Sequence, residues 1–355
     1  MSAGLLPNPR LETAVDAPTG GADADVVGYG VGILWNVTPL LSRRTRRGSA
    51  EAQARSVDLE VTWQEWQVAQ AARQHGVRVI YLTRRAQWAR QAEDTWEHRS
   101  KGLGEAAESG AATALEVMSV QLAFHRSRLD RLALEQQLAA ERVSLNEAIG
   151  VAPEAEIRTD LDWRARVDRE IVVRNKLSGL EDRRPDLVAL RYAFRSRDLA
   201  LQTAMAERFP PIEIGPQYRR EVDDVRAAGV GVTLALPFFD RAQGAVARGH
   251  AERSLSHAKY EARLAQARAD VVRIARQVAM VRLRLQAAAE AAQAAAQLAQ
   301  TVQEVAKDGS LDILVAADAD ERAYAARLRE VEIEQEFAEL EIAYDTAAGT
   351  WDTRR

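Results

Sequence analysis

The chain has 355 residues and a near-balanced charge, 48 Lys and Arg against 52 Asp and Glu, which excludes the basic footprint of a nucleic-acid binder. It contains no cysteine, which excludes disulfides, thiolate catalysis and cysteine metal sites. Charged residues make up 28% of it, and the dominance of Ala, Gln, Glu, Arg and Leu favours long helices. No run of about 18 apolar residues provides a transmembrane helix, but a membrane β-barrel needs only alternate apolar residues and stays open. No signal peptide follows Met1. The five histidines are scattered; the closest pair, His250 and His257, would stand about 10 Å apart along a helix, too far to share a metal ion.

In chain order, "RLETAVD" (10–16) comes first, alternating Leu11, Thr13 and Val15 with charged neighbours. "VGYGVGILWN" (27–36) follows, with Val27, Tyr29, Val31, Ile33 and Trp35 on one face and mostly glycine on the other. Both have the period of strands. A proline-free tract, 40–152, then predicts a helix over about 44–106 and, after Gly110, a returning helix over 112–149. "SRRTRR" (42–47) reads as a contact to lipid headgroups or as a solvated helix start. Trp63, Trp66 and Trp88, at helical spacing, read as packing against neighbouring helices. Residues 151–180 form a link. Beyond it come a helix over about 186–208, strands "IEIGPQYRR" (212–220) and "GVGVTLALP" (229–237), and helices over about 241–306 and 311–348. Each longest helix would span on the order of 95 Å.

The layout is a duplication. Residues 108–150 align without a gap on 307–349, an offset of 199 that matches Gly110 to Gly309, Gln136 to Gln335 and Gly150 to Gly349. A 3,4,3,4 stripe recurs: Leu129, Leu132, Gln136, Ala139, Val143 against Leu328, Val331, Gln335, Ala338, Ile342. That spacing is a coiled-coil seam. "GVGI" (30–33) matches "GVGV" (229–232) at the same offset, and "LLPNPRLE" (5–12) lies over "RFPPIEIG" (208–215) at an offset of 203. The expected domains are therefore a first repeat, 1–150, a linker, 151–180, and a second repeat, 181–355. Only "MSAG" stands where the second repeat has its leading helix, so a helix and any targeting signal are expected to be missing from the front. Four strands cannot close a barrel, and open edges are not tolerated in lipid, so the chain is expected to associate with copies of itself. Strands capping a soluble helical rod are the competing reading of the same pattern.

"AGLLPNPRLE" (3–12), "RRPDLVALR" (183–191), "AERFPPIEI" (206–214) and "GVGVTLALPFFDR" (229–241), with the two glycine turns, resemble the TolC family of outer-membrane efflux proteins. The first motif is similar to the CzcC- and CusC-like heavy-metal branch. The resemblance implies a mainly α protein with transmembrane β: a homotrimer whose 12-stranded outer-membrane barrel continues as an α-helical periplasmic barrel. It implies an inner-membrane pump of the resistance-nodulation-division type and a periplasmic adaptor as partners, no catalysis and no cofactor. It maps adaptor-docking tips to the turns carrying Gly110, Leu115, Val117 and Gly309, Leu314, Ala316. It places Asp318 at the periplasmic aperture, with Glu116 and Asp312 nearby, although each also reads as an ordinary solvated carboxylate. Val315 departs from the family, which often carries Asp there. The cargo would be metal ions or small toxic compounds, and a lipid-bearing cysteine would lie in the missing segment. The alternative function is a soluble or periplasmic coiled-coil scaffold, or a truncated remnant of such a channel.

Overall fold

The computed structural model describes residues 4–17, 27–160, 163–165, 177–223, 225–307 and 313–350. Strands β1 (Arg10–Asp16) and β2 (Gly28–Asn36) precede α1 (Pro39–Glu108) and α2 (Ala114–Ile149). A single turn, α3 (Leu180–Arg183), leads to α4 (Pro185–Ala206), β3 (Ile212–Arg220), β4 (Arg226–Leu234), α5 (Gln243–Lys307) and α6 (Ile313–Ala348). Helix α1 starts at Pro39, upstream of the expected residue 44, because proline's fixed φ and missing N–H suit the first helical position. "SRRTRR" lies inside that helix. Strand β4 starts at Arg226 rather than at 229, since Arg226, Ala227 and Ala228 extend the hairpin ladder opposite Arg220, Arg219 and Tyr218.

The chain divides into two compact units, each with elements of both repeats. The first comprises residues 1–62 and 184–265. Its sheet is antiparallel throughout, in the order β1-β2-β3-β4, so β2 of one repeat pairs with β3 of the other. Val37 N–H donates to Ile212 O at 2.9 Å, and Ile212 N–H to Thr38 Oγ1 at 2.7 Å, pinning the end of β2 to the start of β3. Within the same unit α4 packs closely on α1 through small side chains: Ser49 Oγ donates to Ser196 O at 3.0 Å, and Ser196 Oγ to Ser49 O at 2.9 Å. A Cβ on Gly48 would stand 3.1 Å from Leu199 Cδ1, so a side chain there would require Leu199 to shift.

The second unit comprises residues 63–183 and 266–355. Here α1 is buried on two sides. Val79, Leu82, Ala86 and Ala89 pack on Leu134, Leu138 and Leu145 of α2, and Val77 and Tyr81 pack on Val331, Ala338 and Ile342 of α6. Trp163 and Ala165 lie against this second cluster. Helix α6 also meets α5, where Arg284 bonds Glu336 at 2.9 Å and the Arg282 guanidinium sits 5.7 Å from the Phe337 ring centre. The duplication is visible in the helix ends. Gly150 and Gly349 both take positive φ, and the following N–H in each case donates to the carbonyl five residues back, Val151 to Asn146 and Thr350 to Asp345 at 3.0 Å. Trp63 and Trp66 are buried with ring centres 5.0 Å apart, whereas Trp88 is part-exposed beneath the Arg327 guanidinium.

Candidate membrane-embedded sheet and helix-turn tips

Directly opposed residues in an antiparallel ladder share a face, so the register fixes the composition of both faces. Leu11 opposes Ile33, Val15 opposes Tyr29, Val31 opposes Tyr218, Trp35 opposes Ile214, and Ile214 opposes Val232. Leu234 opposes Ile212 and Val230 opposes Pro216. One face is therefore apolar almost from edge to edge. Val31 and Ile33 are exposed on it, as are Leu11, Val15, Tyr29, Val230 and Val232. Val27 precedes β2 and is exposed as well. Trp35 is half-buried, its Nε1–H donating to Pro7 O at 2.8 Å. Tyr29 and Tyr218 lie diagonally with ring centres 6.2 Å apart.

The other face carries Arg10, Glu12, Ala14 and Asp16, then Gly28, Gly30, Gly32 and Leu34, then Glu213, Gly215, Gln217 and Arg219, then Ala227, Gly229, Gly231 and Thr233. Gly215 is fixed by close approach, because a Cβ there would come within 1.7 Å of the Ile33 carbonyl oxygen. Side chains do not leave all the glycines of this face open: Gln217 lies over Gly32 and Gly231. A contiguous apolar face exposed to solvent is rare on soluble monomers; a sheet apolar on one side and polar or bare on the other is the pattern of a membrane barrel wall.

At the far end of α1, Gly110 takes φ +76°. Gly110 N–H donates to Ala107 O at 3.0 Å and Ala111 N–H to Ala106 O at 2.8 Å, the paired bonds that close a helix through a left-handed residue. Thr113 then caps α2. Its N–H and hydroxyl each donate to Glu116 Oε2 at 2.6 Å, while Glu116 N–H returns to Thr113 Oγ1 at 3.3 Å. These bonds hold the Glu116 carboxyl below its usual pKa, the hydroxyl contributing most. Glu116, expected at an aperture, thus completes a capping box, and the "TALE" sequence (113–116) already carried that signature. Leu115 is 70% exposed. Val117 faces inward against Trp96, Leu103, Val120 and Ala317.

On α6, Leu314 is half-buried and Ala316 is buried. Asp318 is exposed and pairs with Arg322 at 2.8 Å, one helical turn on. Gly309 and Asp312 lie outside the described residues. Two acidic residues that the sequence reading passed over are engaged instead: Asp320 bonds Arg99 and, at 2.8 Å, Gln303, and Glu330 bonds Arg327. Among the described residues no cluster of three His, Asp or Glu side chains is placed to hold a metal ion.

Sheet, paired strands and long duplicated helices together define the TolC-like outer-membrane channel fold. The solved outer-membrane channel OprN matches with a TM-score of 0.78 at 16% identity, covering 99% of this chain and 82% of that one. VceC from Vibrio cholerae, an outer membrane protein, matches with 0.78 at 14%, covering 98% and 88%. CusC, described as forming a transmembrane channel, matches with 0.72 at 14%, covering 99% and 84%. Residues 177–350 match the family model of the outer membrane efflux proteins. The second repeat is therefore similar to the outer membrane efflux proteins, and the whole chain has the TolC-like fold. No curated protein sequence matches the chain.

Proposed function

We propose that the chain is the outer-membrane duct of a tripartite efflux system, a passive homotrimeric channel that receives cargo from an inner-membrane pump through a periplasmic adaptor. The observation that carries this reading is the four-stranded sheet with one exposed apolar face and one polar, glycine-rich face. In this reading Val27, Tyr29, Val31, Ile33 and Trp35 meet lipid, and the glycine-bearing face meets water. Three protomers supply 12 strands, which removes the open edges that lipid does not tolerate. The family match over residues 177–350 supports an efflux role. The motif "AGLLPNPRLE" favours metal ions among the candidate cargoes, with small toxic compounds as the other class.

The decisive experiment is fractionation of the full-length product with conductance in planar bilayers. A heat-modifiable trimer in the outer membrane that conducts ions supports the duct. A monomer confined to the soluble fraction defeats it and favours the coiled-coil scaffold.

The turns at Gly110 and Gly309 are the proposed adaptor-docking tips, with the exposed Leu115 and the half-buried Leu314 as their apolar contacts and the inward-facing Val117 and the buried Ala316 supporting them from within. Asp318 is the proposed aperture carboxylate, with Asp312 and Glu116 beside it. A β-branched residue at Gly110 would be forced into a left-handed conformation it strongly disfavours. The double substitution Gly110→Val with Gly309→Val is expected to abolish efflux while the trimer stays in the membrane. Unchanged drug and metal tolerance in cells carrying it would refute the docking assignment.

A further inference from the structure

The alanine-rich tract of α5, "AAAEAAQAAAQLAQ" (287–300), plays no part in the proposed duct. Alanine favours the helix, and here it also leaves space. Ala289, Ala292 and Ala296 recur at three- and four-residue steps, so they share one face of α5. Trp88, Ala92 and Trp96 share one face of α1 in the same way. These residues, with Tyr324 of α6, line a cavity of about 660 Å³, the size of a small-molecule site. The duplication does not impose it. At the repeat offset of 199, Trp88 and Trp96 become Ala287 and Ala295, and the three alanines become Arg90, Glu93 and Glu97. Two of those charged counterparts are tied to α2, Arg90 by a bond to Glu135 at 2.7 Å and Glu93 by a bond from Arg131. Equivalent positions thus carry an ion-pair network in one case and an aromatic-walled cavity in the other. Every residue lining the cavity belongs to the second unit, so it stands apart from the sheet.

We propose that this cavity binds a neutral, planar aromatic small molecule, its rings against Trp88, Trp96 and the alanine face of α5. The charges at the wall select against an ionic ligand, because each already has a partner. Asp320 is bonded by Arg99 and, at 2.8 Å, by Gln303, and Glu330 is bonded by Arg327. The same two guanidiniums lie over the rings, Arg327 at 5.3 Å from the Trp88 centre and Arg99 at 5.3 Å from that of Trp96. An organic cation drawn to either ring would stand beside one of these arginines and be repelled. An anion would have to compete with Asp320 and Glu330 for them. Burying a charge without a partner is costly, whereas a neutral ring system gains apolar burial and ring contacts without that cost. For its polar group, the side-chain amides of Gln91 and Gln293 line the cavity and make no hydrogen bond to the described residues. The Tyr324 hydroxyl is buried without a hydrogen-bond partner among the described residues, and burial pushes its pKa up to about 12, so it too stays neutral.

The full chain in detergent, dialysed to equilibrium against 2-naphthylmethanol with protein-free detergent as the blank, is expected to bind the probe saturably. Naphthalene-2-sulfonate and 2-naphthylmethylammonium present the same rings with opposite charges. Each is expected to bind at least about tenfold more weakly, the effect of burying a charge that finds no partner. Ala296→Phe fills the cavity from α5, and Trp88→Ala removes a ring wall on α1. Each is expected to weaken binding of the neutral probe at least about tenfold. Both positions are exposed, so helicity and the unfolding midpoint are expected to match those of the wild type. The two substitutions lie on different helices, and either one decides the matter if the other disturbs folding. Binding that does not saturate, or that persists undiminished in a folded variant, would overturn the site. Equal binding of a charged analogue would overturn the ligand class. The sheet is untouched throughout, so failure here leaves the duct standing. A chain that binds the probe but stays monomeric in the soluble fraction would lose the duct and keep this site.

Discussion

Replacement of Asp186 by Asn is expected to lower the unfolding free energy by about 3–5 kcal/mol, the cost of removing one partner from a buried ion pair. Asp186 follows Pro185 at the start of α4, with Arg184 at the N-cap. Both charged residues are buried. Arg184 Nε donates to Asp186 Oδ1 at 3.0 Å and its Nη2 to Oδ2 at 2.7 Å, a bidentate fork. Arg263 of α5 donates its Nε to the same Oδ2 at 2.8 Å. Asn can preserve the shape but not the charge, and it leaves Arg184 buried beside a neutral amide. The carboxylate also sits in the first turn of α4, where a negative charge is favoured by the helix dipole. Arg263 is more exposed than Arg184, so Arg263→Gln is expected to cost less, about 1.5–3 kcal/mol for a lost charged hydrogen bond. Chemical denaturation in detergent measures both. A loss below about 1 kcal/mol for Asp186→Asn would show that the fork is not needed for folding.

The same group gives an acid-side signature. Burial pushes the Asp186 carboxyl up, but the bonds and charge of Arg184, then those of Arg263, outweigh it and hold it below the usual aspartate value. A folded-state pKa below the unfolded one contributes stability that is complete above the unfolded value, about 3.9. That contribution is lost as pH falls through the folded value. Wild-type stability should therefore fall below about pH 4 more steeply than that of Asp186→Asn. Parallel acid titrations of the two would contradict the pairing.

The strands were legible in the sequence because one face is apolar and the other tiny or charged, a contrast that survives without knowledge of partners. The duplication was legible because glycines that end helices tolerate few substitutes, so Gly150 and Gly349 mark the frame. The burial of the coiled-coil stripe was not legible. Leu132 and Val331 occupy equivalent positions and read alike, yet the first is exposed and the second is buried. The difference lies in what α1 offers to α6, and no local pattern encodes it. The ion cluster at Asp186 escaped for the same reason, since Arg263 lies 77 residues downstream. The tips were half legible. The turn at Gly110 followed from the sequence, whereas the inward direction of Val117 depends on packing against Trp96 and Leu103 of α1, and the burial of Ala316 has no local signature. The role of Glu116 was legible, because Thr113 and Glu116 have capping-box spacing.

Substitution of Val31 by Arg is expected to destabilise the membrane-inserted protein by about 2–4 kcal/mol, the cost of a basic residue on the lipid face near the midplane. Val31 is central on β2, between Thr13 of β1 and Tyr218 of β3, and its side chain is exposed. Its cross-strand neighbours are Thr13 and Tyr218 rather than a buried core, so the penalty is set mainly by the surroundings of that face. The polar face supplies the control. Arg219 occupies it opposite Ala227, so Ala227→Arg sets two like charges across the ladder and is expected to cost no more than about 1 kcal/mol while altering the ion selectivity of the open channel. In a water-soluble scaffold both positions would be ordinary solvated surface, and the two arginines would be equally tolerated. Unfolding titrations in phospholipid vesicles distinguish these outcomes: a penalty at Val31 well above that at Ala227 places lipid on the apolar face, and equal tolerance at both would remove the barrel wall from the account of this protein.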